Sequence, residues 1–352
     1  MQQKIIKIKE QILAAIEQGQ PLDIIGGGSK SFMARNITGT QIEMADYTGV
    51  ISYEPTELYI TVKAGTLLSD VKQLLAEQGQ MLAFEPAEVN EKTTMGGVVA
   101  TGLSGPRRPY AGSVRDFVLG VRCINGLAKE LSFGGQVMKN VAGYDLSRLM
   151  TGAFGTLGII TEVTLKVLPI PEFELTGFKE MSLQKALDKI HEIASRAVPV
   201  SASCYDGKTM FVRFSGNEKV VKESLKADGF EEYKEARKFW RELRDYDLPI
   251  FHSDKPIWRL SVPSTSNVNL ENDEYLIDWG GAQYWFASDR PANKIFTMAE
   301  ALGGSALLFR NGDRNGDIFQ PLADGLFKLQ QELKQAFDPH RILNREKMYK
   351  KL

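Results

Sequence analysis

Apolar positions recur at helical spacing at Ile5, Ile8, Ile12, Leu13 and Ile16 and stop at Gly19 and Pro21, which predicts an amphipathic N-terminal helix. Leu22 to Ile25 is then a short apolar strand running into three glycines. Leu58, Ile60, Val62 and Ala64 alternate with Tyr59, Thr61 and Lys63, the pattern of a half-buried strand. Thr66 is placed to cap a helix whose stripe is Leu67, Leu68, Val71, Leu74 and Leu75, with Gly79 as its stop. Thr161, Val163, Leu165 and Val167 form one face of a further strand, opposite Glu162, Thr164 and Lys166. Prolines 169 and 171 end it and mark a boundary at 168–171. Beyond them the pattern predicts helices at about 182–195, 217–227 and 234–246, and strands near 198–205, 208–214, 257–262, 274–287 and 305–309. Fold class α+β follows, with an α+β cap on an α+β base.

Composition narrows the classes. A chain of 352 residues has room for two or three domains with a real core. Lys and Arg number 43 against 44 Asp and Glu, so no strong field draws the chain to nucleic acid or anionic lipid. Cys123 and Cys204 lie far apart with no metal-ligand spacing, and are expected to be reduced, buried thiols of a cytoplasmic protein. No metal site is expected. The first twenty residues lack the continuous apolar run of a signal peptide, and no later stretch reaches the length of a membrane span. The 32 glycines are unevenly placed, concentrated before about residue 160.

That placement carries the chemistry. In IIGGGSK (24–30) a glycine run follows a strand, so successive N–H groups can converge on an anion, with Ser29 and Lys30 as further donors. A dinucleotide fingerprint is excluded, because its third glycine would fall at Ser31 and no helical stripe follows; a Walker loop occurs nowhere. A tight turn between strands explains this segment alone equally well. TTMGGVVATGLSGP (93–106) sets Gly96, Gly97, Gly102 and Gly105 among small neighbours, which lets a flat ring lie against backbone with hydroxyls and N–H groups facing it. GAFGTLG (152–158) leads into a strand, not a helix. Together the three clusters favour a long cofactor with phosphates and rings.

The stretches GQMLAFEP (79–86), GLSGPRRPYAGSVRDFVLGV (102–121), GGQVMKNVAGYDLSRLM (134–150) and FDPHRILN (337–344) resemble the FAD-binding domain of the vanillyl-alcohol oxidase or p-cresol methylhydroxylase (PCMH) type, and within it the FAD-binding subunits of bacterial glycolate oxidases. The resemblance runs almost end to end and is dense over about 79–170. It implies a two-lobed FAD domain over 1–170, an α+β cap over 171–325, and a C-terminal helix and tail, 326–352, returning to the FAD domain. It implies pyrophosphate at Gly26, Gly27, Gly28, Ser29 and Lys30. Pyrophosphate and flavin are implied at Thr93, Gly96, Gly97, Thr101, Gly102, Ser104 and Gly105, and adenosine at Gly155 and Ile160. Tyr110 and Gly112 match a tyrosine-glycine pair near the ring, here separated by Ala111.

No histidine precedes His191, so the FAD is expected to be non-covalent as far as histidine is concerned. The His-rich metal site of the larger catalytic relatives is absent; His191, His252 and His340 are isolated and read as structural. The expected partners are therefore a larger flavin-containing catalytic subunit, an iron–sulfur subunit and a small 2-hydroxy acid substrate. Nucleic acid and a transmembrane segment are not expected. The expected location is cytoplasmic, with peripheral attachment to the inner membrane through the complex left open. Oxidising glycolate needs a cation for the carboxylate and a base for the hydroxyl proton. Arg107 and Arg108 are candidates for the first, with surface charge or a phosphate contact as competing roles; no residue stands out as the base. The basic, aromatic stretch from Arg237 to Tyr246 reads as a cap helix with a solvated or partner-facing charged side. Two other functions stay open: a self-sufficient FAD oxidoreductase acting on another small substrate, and a flavin-binding structural subunit.

Overall fold

In the computed structural model, which describes residues 2–135, 146–270 and 273–352, the N-terminal helix Gln2–Gln18 buries Ile8, Ile12 and Ala15 along one stripe. The part of the 134–150 stretch at 136–145 lies outside the described residues. Leu22–Ile25 pairs in parallel with Thr40–Glu43, and Leu22 also bridges Leu343, so the tail joins the first small sheet. Parallel partners need a long connection, and the glycine run sits within it.

A five-stranded antiparallel sheet follows, in the order Val50–Glu54, Tyr59–Lys63, Ile159–Lys166, Val118–Ile124, Glu130–Gly134. Ile159–Lys166 is its middle strand. Its neighbour Tyr59–Lys63, expected to be half-buried, is buried at all five positions, with the Thr61 hydroxyl 3.0 Å from that of Thr164 on the middle strand. The helix after Thr66 starts at Leu68 with Leu67 as its N-cap. The Thr66 hydroxyl accepts instead from Gly49 N–H at 3.0 Å, a tertiary partner that outcompetes the local cap. One continuous core joins this sheet, the N-terminal helix and the tail, running from Ile8 through Val62 and Val163 to Leu343.

Residues from Phe173 to Arg310 build an eight-stranded antiparallel sheet. Its order is Glu231–Glu232, Phe173–Glu180, Thr209–Gly216, Val200–Tyr205, Glu274–Asp278, Gln283–Ala287, Ile257–Ser261, Ser305–Arg310. Helices Leu183–Ala194, Glu218–Ala227 and Ala292–Ala301 cover one face over Val212, Phe214, Trp258 and Phe286. The other face, with Phe211, Trp285, Leu307 and Phe309, meets helix Ala236–Asp245 and Met33, Leu103 and Phe154 of the first half. Successive side chains thus enter two different cores, which is why neighbours such as Phe211 and Val212, or Tyr284, Trp285 and Phe286, are all apolar and buried. The single strand expected over 274–287 is a hairpin, because Trp279, Gly280 and Gly281 adopt φ of 54°, 66° and 87° and turn the chain.

Helix Asp324–Phe337 is anchored by a buried lysine. Lys334 Nζ donates to Thr156 O at 2.8 Å and Leu343 O at 2.7 Å and pairs with Asp338 Oδ2 at 2.8 Å. Asp338 in turn accepts from the amides of Ile342 and Leu343. Removing one partner of a fully buried pair leaves an uncompensated charge, at a cost of about 3–5 kcal/mol. Lys334→Met is therefore expected to lower the midpoint of chemical denaturation strongly, and a midpoint equal to that of the parent chain would contradict this role.

Candidate functional site

The glycine run packs against the backbone at Lys92. A Cβ on Gly27 would sit 1.4 Å from Lys92 O, so only glycine lets the two backbones touch. Gly28, at φ +67°, takes a left-handed turn that glycine adopts without strain. Among the described residues, the N–H groups of Gly27, Gly28, Ser29 and Lys30 donate to no carbonyl or side chain of the protein. Four successive unpaired donors beside a cleft form an anion cradle.

Lys30 completes it. Its side chain is 6 % exposed, and among the described residues its ammonium meets only Ser29 Oγ, at 3.5 Å, with no carboxylate in contact. Burial lowers its pKa to about 8 in spite of the opposing pull of Asp245 and Glu88. An ammonium held out of water without a counter-ion favours an anionic ligand.

The cleft beyond the loop has an empty volume of about 1070 Å³ counting its open mouth, at the upper end of the ~300–1,000 Å³ of small-ligand sites. Gly26, Gly27, Gly28, Ser29 and Lys30 form one wall. Gly96, Gly97 and Thr101, from helix Met95–Thr101, form a second, and Gly155 and Ile160 a third. Met44, Ala64, Ala100 and Phe154 add apolar surface. Phosphate-seeking donors at one end and a broad apolar lining fit a dinucleotide that carries a flat ring.

The remaining sequence-nominated residues stand apart. Thr93 is buried and its hydroxyl donates to Asn90 O at 2.9 Å. Ser104 accepts from Val114 N–H at 3.0 Å, and Gly105 O accepts from Trp279 Nε1 at 3.1 Å. The Tyr110 hydroxyl faces the eight-stranded sheet, 3.5 Å from Ser203 Oγ. Gly102 lines a neighbouring cavity. Arg107 is consumed by an ion-pair network: it contacts Glu85 and Glu174, and Arg213 reaches Glu85 at 2.8 Å. Burial alone would raise the Glu174 carboxyl, but Arg213 and Arg107 hold it below its ordinary value. This network leaves Arg107 no free donor fork for a substrate and leaves Arg108 as the candidate.

Two tail residues complete the cleft without having been foreseen. Asn344 donates to Phe154 O at 2.6 Å and accepts from Ile24 N–H at 2.8 Å, tying the first wall to the third. Lys347 pairs with Asp23 at 2.8 Å on the same rim. The hint lay in the FDPHRILN stretch, where an asparagine follows two apolar residues at the end of the similarity.

A family model described as an FAD binding domain matches residues 5–134. The fold superposes on a solved structure of alkyldihydroxyacetonephosphate synthase with a TM-score of 0.67 at 17 % identity, covering 96 % of this chain and 74 % of that one. Cleft, fold and family model together define a flavoprotein of the PCMH type, with FAD as its cofactor. The chain is 45 % identical over 343 residues to glycolate oxidase subunit GlcE of Escherichia coli (strain K12), spanning 97 % of each, and it belongs to that family of FAD-dependent oxidoreductases. Over 134 residues it is also 35 % identical to the D-lactate dehydrogenase of Anaerostipes hadrus, a match that covers 38 % of this chain and 28 % of that protein.

Proposed function

We propose that this chain is the FAD-binding subunit of a complex that oxidises glycolate, or a close 2-hydroxy acid, to the 2-oxo acid. The observation that carries the reading is the 45 % identity to a glycolate oxidase subunit along 97 % of both chains. FAD supplies a two-electron acceptor when bound. In this reading Gly27 to Lys30 hold its pyrophosphate, Gly96, Gly97 and Thr101 flank its flavin half, and Gly155 and Ile160 meet its adenosine half. Residues 1–170 are the FAD domain, 171–325 the cap, and 326–352 the returning helix and tail. The attachment is non-covalent. A larger flavin subunit performs most of the substrate chemistry, and an iron–sulfur subunit takes the electrons onward, since two buried cysteines cannot ligate a cluster here. No described helix is long and apolar enough to cross a membrane. In this reading the complex is cytoplasmic.

Affinity purification from the native host tests this. The chain is expected to bring down a larger flavoprotein and a cysteine-rich iron–sulfur protein, and the complex to reduce an electron-accepting dye with glycolate. Acid should release all its flavin. If the isolated chain matches the rate of the complex, it is a self-sufficient oxidoreductase; a complex inert to glycolate and D-lactate overturns the substrate class.

A further inference from the structure

Beside the flavin cleft, and sharing Thr101 and Phe154 with it, lies a second cavity at the junction of FAD domain and cap, of about 830 Å³ counting its open mouth. Three guanidinium side chains line it: Arg108 and Arg115 from the FAD domain and Arg259 from the cap sheet. Among the described residues, no Asp, Glu, His or Lys lines it.

Arg259 is the unusual one. It lies on Ile257–Ser261, where its strand neighbours are Trp285 and Leu307, so a sheet position that packing would give to an apolar residue carries a charge. Among the described residues its guanidinium forms no hydrogen bond and no ion pair. Burial lowers its pKa, the signature of a cation short of solvent and counter-charge. Arg108 stacks on the Trp279 ring, 4.2 Å from the centroid, and leaves its donor fork unused. The carboxylates near these cations are otherwise engaged. Asp116 is bound to the Ser113 cap at 2.8 Å, and burial pushes the Asp278 carboxyl well above the usual carboxylate range.

A guanidinium presents parallel N–H donors that match the two oxygens of a carboxylate. We infer that this junction cavity is a carboxylate-binding site of the chain's own, taking a small organic acid with Arg259 as its anchor and Arg108 as a second arm. The carboxylate chemistry stands on the cavity alone; the narrower class, a 2-hydroxy acid or its 2-oxo product, rests on the function proposed above. The site gives this chain direct contact with the acid, in addition to any contact made by a larger subunit.

The test uses the full chain, with and without FAD, titrated with oxalate and with glycolate at constant ionic strength. Binding is read from tryptophan fluorescence, to which Trp279 under Arg108 contributes, and in the FAD-loaded chain from the flavin difference spectrum. Saturable binding is expected, weakened about tenfold or more by Arg259→Met, with FAD affinity unchanged. Arg108→Gln serves as a second variant and should also weaken binding if Arg259→Met does not fold. Absence of saturable binding, or unchanged affinity in a folded Arg259→Met chain, overturns the proposal. FAD binding without acid binding defeats the cavity alone; acid binding without FAD binding defeats the flavin cleft and leaves the cavity standing.

Discussion

Gly97→Leu is expected to give a folded, colourless protein. A Cβ at Gly97 meets only Thr94 Oγ1, at 3.2 Å, and the rest of the new side chain must enter the cleft that Gly97 lines. Filling that space leaves the ring no room, so FAD affinity should fall by about 100-fold or more, corresponding to roughly 3 kcal/mol of lost contact and added strain. The neighbouring glycine serves as the control. A Cβ at Gly96 would sit 2.7 Å from Ala64 Cβ and 3.0 Å from Ala64 O, so substitution there pushes apart the helix and the strand end behind it. Gly96→Leu should therefore lower thermal stability in the absence of flavin, whereas Gly97→Leu should leave it close to the parent value. Flavin absorbance after gel filtration and an unfolding curve separate the two; a yellow Gly97→Leu protein at parental stoichiometry would refute the placement of FAD in this cleft.

The second large effect is electrostatic. Lys30→Met should weaken FAD binding about 10- to 100-fold near neutral pH, the scale of a hydrogen bond to a charged group in a site held from water. Its pH dependence follows from the buried ammonium. In the ligand-free protein Lys30 loses its proton as pH rises through about 8, while an unfolded chain would keep it to about 10.5. Binding an anion requires the charged form, so the parent chain's affinity should decline above about pH 8 and the gap to Lys30→Met should narrow. The stability of the ligand-free chain runs the other way. Between about pH 8 and 10.5 the unfolded state holds more protons than the folded one, so the Lys30 contribution to stability rises with pH across that window. Calorimetric titration of both proteins on either side of pH 8 checks the sign, and parallel pH profiles would exclude Lys30 from the anion site.

Much of the cleft was legible because its contributors announce themselves locally. A glycine run after an apolar strand, a helix opening on Gly96 and Gly97, and glycines leading into Ile159 and Ile160 each carry their own signal. Asn344 and Lys347 do not. They reach the cleft because Leu343 bridges Leu22 some 320 positions away, and no local pattern encodes that pairing. The same limit applies within GPRRPY: adjacent arginines look interchangeable along the chain, yet Arg107 turns into the Glu85 and Glu174 network while Arg108 stacks on Trp279. Tyr110 likewise turns toward Ser203 of the eight-stranded sheet. Arg259 carries a local signal, a single charge among Ile257, Trp258 and Leu260 in a strand with both faces covered.

Hydrogen exchange with and without FAD tests the central claim most directly. The amides of Gly27, Gly28, Ser29 and Lys30 donate to nothing within the described chain, so they should exchange rapidly in the free protein and become strongly protected when FAD is added. Protection should extend to the segments at 96–101 and 155–160, and Lys30→Met should reduce it. If FAD binds while the 27–30 amides go on exchanging at their free rate, the pyrophosphate lies elsewhere and the cradle described here is not its site.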